Sequence, residues 1–315
     1  MSSLIEQATR RLEQLRRAGV TLDDNMAPSV SHANPLHIEP IAVPPAHSAV
    51  ISKVEIPIKS EKPLSLSRRV ELDLDALTAA GIVSPNAPRS QIADQYRVIK
   101  RPLISNAMGK GASTIENGNL IMVTSALAGE GKSFSAINLA MSIATELDNT
   151  VMLVDADVAR PSVLRMLGLP ASPGLLDLLV GDVDDLSSVL LKTNIDKLTL
   201  LPSGTPHLRA TELLASDAMS QLIANIANRY SDRIIIFDSP PLLLTTESRV
   251  LASHMGQIVM IVHAEKTLQA DVQHALSSIE ACPVKMMVLN QARSGSQGGY
   301  GGYGGYGYGY GTQAT

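Results

Sequence analysis

The segment ALAGEGKS at residues 126–133 carries the residue types that a phosphate-binding loop needs. Gly129 and Gly131 allow the backbone to turn its amide groups inward around phosphate oxygens. Lys132 supplies a positive charge for the β- and γ-phosphates, and the hydroxyl of Ser133 is a suitable ligand for Mg²⁺. An apolar run, NLIMVTS, precedes the segment and an apolar helical pattern follows it, which places the amides at a helix N-terminus. The spacing therefore predicts a P-loop that binds ATP with Mg²⁺.

The predicted nucleotide contacts are consecutive residues of this loop and of the helical turn after it: Ala128, Gly129, Glu130, Gly131, Lys132, Ser133 and Phe134. Ala126 stands where the motif usually has its first glycine, whereas the Gly-Lys-Ser core is intact. A chance match would lack the flanking strand and helix. We therefore interpret the match as a functional one.

Three aspartates follow apolar, strand-like runs further along the chain. The run TVMLVDADVARP ends on Asp155 and Asp157, and the run RIIIFDSPP ends on Asp238. A lone aspartate at a strand end usually caps a turn or a helix. Three of them beside a P-loop are expected to meet, because the C-terminal ends of parallel strands lie at the edge of the sheet where ligands bind. Since Mg²⁺ prefers hard oxygen ligands and keeps several waters, one or two of these carboxylates suffice beside Ser133, and Asp238 is the Walker B candidate.

The elements that must position these residues alternate along residues 118–290. Apolar runs that predict strands are separated by segments of helical periodicity, and the predicted strands are 119–125, 150–155, 198–202, 233–238, 257–263 and 285–290. Two further helices are predicted at 70–80 and 90–101. The alternation is typical of a mostly parallel sheet with helices on both faces, so that the fold class is predicted to be α/β, of the P-loop NTPase type.

Composition divides the chain of 315 residues into four predicted parts. Residues 1–24 contain an amphipathic helical pattern at 3–18 with arginines on its polar side. Residues 25–69 are rich in proline, which predicts an extended linker. Residues 70–293 form the predicted P-loop domain. Residues 294–315 form a tail with too much glycine to pack as a regular element.

Charge and cysteine content exclude several classes of protein. The formal net charge is -4 and the pI is about 6.0, which argues against a dedicated nucleic-acid binder. The single cysteine, Cys282, excludes an internal disulfide and a cysteine-rich metal site. The sequence shows neither the ~18 apolar residues of a membrane span nor the apolar core of a signal peptide. We therefore expect a cytoplasmic protein that reaches the inner face of the membrane through a partner.

The succession of P-loop, DADVARP and FDSPP resembles the bacterial tyrosine kinases, which use a P-loop instead of the eukaryotic kinase fold, over about residues 90–315. The resemblance implies that Asp155 and Asp157 form the family's Asp-x-Asp pair, in which one carboxylate assists Mg²⁺ and the tyrosine hydroxyl. It thereby adds Asp155 to Ser133 and Asp238 at the metal, and implies a catalytic set of Lys132, Asp155, Asp157 and Asp238. The family usually has an arginine two residues after the second aspartate. This chain has Ala159 at that position and Arg160 one position later.

The resemblance also implies an oligomerisation helix and a substrate tail. The segment DQYRVIK, with Asp94, Arg97 and Lys100, is similar to a helix that packs against the next subunit of a ring. Taken alone, these residues indicate an ordinary exposed face with charges at i and i+3. The tail matches the tyrosine cluster that each subunit of the family offers to a neighbour's active site, and its members here are Tyr300, Tyr303, Tyr306, Tyr308 and Tyr310.

The activity implied by the resemblance is autophosphorylation of that cluster, by in-line transfer of the γ-phosphoryl group of ATP to a tyrosine hydroxyl. Family members without a membrane segment work with a membrane-embedded activator or polysaccharide co-polymerase and with a tyrosine phosphatase. They regulate the synthesis and export of exopolysaccharide or capsule. The N-terminal extension and the DADVARP segment are similar to the subgroup associated with exosortase systems.

Two alternative functions are consistent with the same motifs. A positioning ATPase of the Par or Min type has the same fold but carries an additional lysine early in the P-loop, where this chain has Leu127. A catalytically inactive scaffold would use the tail for self-association, although it would not need the complete set of lysine, serine and three aspartates. Asn290, at the end of the last predicted strand, is either an adenine contact or an ordinary strand-end cap.

Overall fold

The computed structural model of the chain describes residues 67–86, 89–111, 113–230 and 232–292. Contacts divide the chain into residues 1–59 and 60–315, and all of the described residues belong to the second unit. The predicted helix at 3–18, most of the predicted proline-rich linker and the tail with its five tyrosines lie outside the described residues.

The described residues form one sheet of eight strands. The strands are β1 (Arg68–Arg69), β2 (Leu120–Ser125), β3 (Thr150–Asp155), β4 (Leu191–Lys192), β5 (Leu198–Leu201), β6 (Arg233–Asp238), β7 (Gln257–His263) and β8 (Val284–Asn290). Their order across the sheet is β1-β4-β5-β3-β6-β2-β7-β8. Every neighbouring pair is parallel except β4 and β5.

The predicted α/β class, a mostly parallel sheet with helices, is confirmed. The six predicted strands correspond to β2, β3, β5, β6, β7 and β8, and each boundary lies within one residue of its predicted position. Strands β1 and β4 were not predicted, because two residues are too few to show an alternating pattern. The sheet begins at Arg68, two residues before the predicted start of the domain.

Helices pack on both faces of the sheet. They are α1 (Leu74–Ala79), α2 (Gln91–Ala107), α3 (Lys132–Ala144), α4 (Val163–Met166), α5 (Leu175–Val180), α6 (Leu186–Val189), α7 (Ala210–Leu214), α8 (Asp217–Arg229), α9 (Glu247–Ala252) and α10 (Gln269–Ser277). None of these helices is both long and apolar enough to cross a membrane.

Two hydrophobic clusters fill the space between the sheet and the helices. On one face, Met152 and Phe237 of the sheet belong to the same buried cluster as Ile223 of α8. On the other face, Ile121 belongs to the cluster that contains Ile137 of α3. All six residues of β2 are buried, because a central parallel strand is covered on both sides. This double covering fixes the positions of the strand ends, where the predicted site residues lie.

The predicted oligomerisation residues do not share one exposed face of α2. Arg97 and Asp94 form an exposed ion pair, as the i, i+3 spacing indicates. Lys100 is instead only 3% exposed. Its ammonium donates to the carbonyl of Ser142 in α3, and it lies 2.7 Å from a carboxylate oxygen of Glu146. The expectation that Lys100 lies on a surface open to a neighbouring subunit is therefore wrong for this chain, because its side chain caps the end of α3.

This burial predicts different effects for two substitutions on the same helix. Lys100→Met is expected to lower the free energy of unfolding by about 1–3 kcal/mol, because it removes a buried ammonium from its acceptors while keeping the apolar stem. Arg97→Met, the matched control, is expected to change it by less than about 0.5 kcal/mol, since its ion pair is solvent-exposed. Urea unfolding of both variants measures the difference. Equal stabilities would contradict the structural role of Lys100.

Candidate functional site

The P-loop connects the end of β2 at Ser125 to the start of α3 at Lys132. Gly129 and Gly131 have φ angles of 84° and 92°, in the left-handed region that favours glycine. A Cβ atom on Gly131 would also lie 2.1 Å from Nδ2 of Asn290. Both glycines of the motif are therefore required by the loop conformation, and a side chain at the second would also displace the amide of Asn290.

Glu130 braces the loop from inside and was predicted only as a nucleotide contact. Its side chain is 3% exposed, and Oε2 accepts the backbone N–H of Leu127 at 2.8 Å. Oε1 accepts a hydrogen bond from the hydroxyl of Thr267 in the β7–α10 loop. The amide of Asn290 donates to the carbonyl of Glu130 at 2.9 Å. The side chain of Asn290 thus contacts the P-loop backbone.

The brace predicts that nucleotide affinity depends on Thr267. Thr267→Val keeps the shape of the side chain but removes the hydroxyl that bonds to Glu130. We expect nucleotide Kd to rise about three- to tenfold, which corresponds to the usual net contribution of one hydrogen bond, about 0.7–1.4 kcal/mol. Thr267→Ser, which keeps the hydroxyl, is the control and is expected to bind like the unmodified chain. Titration with a fluorescent ATP analogue measures both, and equal affinities for the two variants would exclude the brace.

The sheet brings Lys132 and the three predicted aspartates together at one edge. Nζ of Lys132 lies 2.5 Å from Oδ2 of Asp157, 3.9 Å from Oδ1 of Asp238 and 3.3 Å from Oγ of Ser133. Asp155 pairs in register with Asp238 at the ends of the adjacent strands β3 and β6. All three aspartates are less than 5% exposed. The result is a buried cluster of one cation and three carboxyl groups beside the P-loop.

Asp155 also has the local role that a strand-end aspartate often has. Its Oδ2 accepts the backbone N–H groups of Ser162 and Val163 at 3.1 and 3.0 Å, at the start of the short helix α4. Its Oδ1 is buried and has no hydrogen-bond partner among the described residues. One oxygen therefore orders the segment after β3, while the other remains available at the site.

Burial and mutual repulsion shift the pKa values of this cluster. Burial, assisted by the charge of Asp238, raises the pKa of Asp155 to about 7. Burial raises the pKa of Asp238 to about 6, against the opposing effect of Lys132. Burial alone would lower the pKa of Lys132, but the surrounding charges of Asp238, Asp157 and Asp155 outweigh it and raise the pKa. The lysine therefore stays charged, while the carboxyl groups favour a cationic neighbour.

The unpartnered oxygens fit a hard divalent cation. Oδ1 of Asp155 and both carboxylate oxygens of Asp238 are buried without a hydrogen bond to any described residue. Among all described residues, no group of three or more His, Cys, Asp or Glu side chains is arranged to hold a metal by itself. A cation here would need further oxygens from Ser133, water or a phosphate, which is the mixed coordination that Mg²⁺ usually adopts.

The remaining predicted residues lie around this cluster or away from it. Ala128 is exposed on the loop. Phe134 lies in α3, and its ring packs with the hydrophobic cluster beneath that helix. The backbone N–H of Arg160 donates to Oδ1 of Asp157 at 3.2 Å, and its side chain is exposed. Asp94 lies on the exposed part of α2, outside the cluster.

Comparisons with known proteins agree with this geometry. A ParA family model, described as NUBPL iron-transfer P-loop NTPase, matches residues 116–291. EpsB of Ralstonia nicotianae, named a putative tyrosine-protein kinase, is 31% identical over 169 residues, which are 53% of this chain and 22% of EpsB. YwqD of Bacillus subtilis, named a tyrosine-protein kinase, is 28% identical over 206 residues, which are 65% of this chain and 83% of YwqD.

A solved kinase domain has a similar structure. The kinase domain of VpsO is 25% identical and superposes with a TM-score of 0.54, and the match covers 64% of this chain and 96% of that domain. The chain therefore spans less than a quarter of EpsB, but most of YwqD and nearly all of the VpsO kinase domain. Because the family model matches more than half of its residues, the chain belongs to the ParA family of P-loop NTPases, and the relatives that it resembles are bacterial tyrosine kinases.

Proposed function

We propose that this chain is a protein tyrosine autokinase, which binds ATP with Mg²⁺ and phosphorylates its own C-terminal cluster: Tyr300, Tyr303, Tyr306, Tyr308 and Tyr310. The observation that carries the proposal is the convergence of Lys132 with Asp155, Asp157 and Asp238 beside the P-loop. The names of the relatives, which are tyrosine-protein kinases, select this reaction among those that a P-loop supports.

Each group of the site has a role in the proposed reaction. The loop amides from Gly129 to Ser133 and the charge of Lys132 hold the phosphates. Ser133, Asp155 and Asp238 would hold Mg²⁺, which would neutralise charge on the phosphates. Lys132 forms an ion pair with Asp157, so a bound phosphate would compete with Asp157 for the lysine. Asp157 then accepts the hydrogen bond of the tyrosine hydroxyl and orients it for in-line attack.

We propose the same cellular setting that the family resemblance implies. The chain acts at the inner face of the cytoplasmic membrane through a membrane-embedded activator or polysaccharide co-polymerase. It regulates exopolysaccharide or capsule production, and a tyrosine phosphatase reverses the modification. Subunits form a ring through the exposed side of α2, which carries Asp94 and Arg97. The predicted division into a helix at 1–24, a linker at 25–69, a domain at 70–293 and a tail at 294–315 fits this arrangement.

The ParA family model favours a second candidate, a nucleotide-dependent switch without kinase activity. The switch proteins of this fold carry a lysine early in the P-loop. Leu127 stands there in this chain, packs against the hydrophobic core and donates its N–H to Glu130. Iron transfer, which the description of the family model names, has little support in a chain whose single cysteine, Cys282, is buried.

Incubation of the purified chain with labelled ATP and Mg²⁺, followed by mapping of the phosphorylated residues, tests the proposal. We expect label on the tail tyrosines and no label on a chain that ends at Gly295. A full-length variant with all five tail tyrosines changed to phenylalanine is the matched control, because it keeps the length of the tail. Both variants are expected to bind nucleotide normally, since the tail lies outside the P-loop.

ATP hydrolysis without phosphotyrosine would favour the switch. A membrane-embedded activator from a polysaccharide system should be added before that conclusion is drawn, since the proposal includes such a partner. If phosphotyrosine remains absent with an activator that stimulates a related kinase, the autokinase proposal is wrong.

A further inference from the structure

A cavity of about 290 Å³ lies at the opposite edge of the sheet from the P-loop, at the amino-terminal ends of β3, β5 and β6. It is lined by Arg69, Thr150, Lys192, Lys197, Thr199 and Arg233, together with Thr193 and Asp196. Four cationic side chains therefore share one small cavity with a single carboxylate. This local charge contrasts with the formal net charge of -4 for the whole chain.

The register of the strands explains why these side chains meet. Lys192 pairs with Thr199 across β4 and β5, and Thr199 pairs with Met152 across β5 and β3. Thr150 pairs with Arg233 at the start of β3 and β6. Paired residues point to the same face of a sheet, and Thr150 shares that face with Met152 because they are two residues apart. Successive strands thus place a lysine, two threonines and an arginine on one face.

Several polar atoms of this cavity have no partner within the described part of the chain. Oγ1 of Thr150 and Nε of Arg233 are buried and make no hydrogen bond there. Lys192 forms no ion pair with a described residue. The guanidinium of Arg233 lies over the ring of Tyr230, with Cζ 4.6 Å from the ring centroid, which holds it in place. Donors that are positioned but unsatisfied need an acceptor.

The other two cations of the cavity, Lys197 and Arg69, already contact neighbouring acceptors. Lys197 donates to the carbonyl groups of Glu146 and Leu147, just beyond the end of α3. Arg69 lies 3.8 Å from Glu71 in an exposed and therefore weak ion pair. Lys192, Arg233 and the two threonine hydroxyls are the groups left to contact a ligand.

We propose that this cavity is a second anion site, which binds a phosphate monoester. Guanidinium, ammonium and hydroxyl donors around a small volume match the several acceptor oxygens of a phosphate group. Asp196 is the one carboxylate that lines the cavity, and Glu71 is paired with Arg69, so cationic and hydroxyl donors outnumber acidic groups there. A compact anion can therefore contact Lys192 and Arg233, which line the same small volume.

The phosphate monoester can come from two sources. One is phosphotyrosine in the tail of a second copy, and this assignment rests on the proposed autokinase function. The other is a free phosphate or a small phosphorylated molecule, and this assignment does not depend on the kinase. A phosphotyrosine adds roughly 1.5 to 2 negative charges to a tail that otherwise has no charged side chains, so its binding would follow the modification.

Binding of a synthetic phosphotyrosine peptide with the sequence of residues 296–313 to the full-length chain tests the site, and needs no kinase activity. Measurements are made with saturating non-hydrolysable ATP analogue and Mg²⁺, which keep the peptide out of the P-loop. We expect Lys192→Gln and Arg233→Gln each to weaken binding about tenfold, because each removes a charged donor. Lys110→Gln, which changes an exposed lysine away from the cavity, is the matched control and is expected to bind the peptide normally.

Competition with other anions distinguishes the sources. Displacement of the peptide by inorganic phosphate at a similar concentration supports a free phosphate as the ligand, and tight binding of the peptide alone supports the tail. Equal binding of an unphosphorylated peptide that carries glutamates in place of the tyrosines would overturn the site. Unchanged peptide binding in both cavity variants, or binding of anionic vesicles but not of either phosphate, would also overturn it.

Discussion

Replacing Lys132 with methionine is expected to lower phosphotyrosine formation by about 10²- to 10³-fold or more, the usual effect of removing one group that stabilises transition-state charge. In the structure, Lys132 is the one cation among the described residues that contacts the buried cluster of Asp155, Asp157 and Asp238. Without it, three carboxyl groups face the phosphates with no positive side chain between them. Labelled phosphate incorporation measures the loss of phosphoryl transfer, and nucleotide titration measures the loss of nucleotide binding.

Lys266→Met is the matched control for this substitution. Lys266 is an exposed lysine of the β7–α10 loop, beyond the end of β7. We expect this variant to retain both phosphotyrosine formation and nucleotide affinity. If Lys132→Met retained phosphotyrosine formation at the level of this control, the site would not be the one that transfers phosphate.

Asp238→Asn is expected to change activity and stability in opposite directions. The carboxylate is fully buried, and the only cation that pairs with it among the described residues is Lys132, at 3.9 Å, so its negative charge is only partly compensated by the protein. The amide keeps the shape and removes that charge. We expect the melting temperature of the nucleotide-free chain to rise by about 2–4 °C and phosphotyrosine formation to fall by at least ~10²-fold. A fall in both quantities would contradict the strain that we infer at this position.

The same carboxyl groups give the nucleotide-free chain a defined pH dependence. The folded pKa values of about 6 for Asp238 and about 7 for Asp155 lie above the ordinary value of 3.8. At pH values between the ordinary and the folded pKa values, the folded chain binds more protons than the unfolded chain. The contribution of these two carboxyl groups to the free energy of unfolding therefore falls as pH rises from about 4 to about 7. Urea unfolding at pH 5 and pH 8 measures the change. Asp238→Asn is expected to reduce it, and an unchanged pH dependence would show that Asp238 is ionised throughout.

The central part of the fold was predictable because its signals are local. Buried parallel strands such as β3 and β6 consist of continuous apolar runs that end on an aspartate, and the run itself marks both boundaries. The P-loop is one contiguous segment with fixed glycine, lysine and serine positions. Two-residue strands such as β1 lack such a signal, because their place in the sheet depends on a partner more than 100 residues away.

The interactions that the sequence did not reveal are long-range. Lys100 looked like a surface residue, because a lysine in a charged helical pattern is usually solvated, and its acceptors lie 42 or more residues further along the chain. The brace between Glu130 and Thr267 spans 137 residues, and no spacing rule joins the two. The convergence of Asp155 and Asp238 could be anticipated only because parallel strands place their ends at a common edge.

The buried Lys100 has a consequence for how assembly and catalysis communicate. Its ammonium fastens the middle of α2 to the last turn of α3, and α3 begins with the lysine that would hold the nucleotide. In the proposed ring, this contact would connect the exposed side of α2, which would face the neighbouring subunit, with the helix that begins at the P-loop. If neighbouring subunits press on the exposed side of α2, thermodynamic linkage requires ring closure and nucleotide affinity to change together, each by the same factor. Nucleotide binding in one subunit would then change the stability of the whole ring.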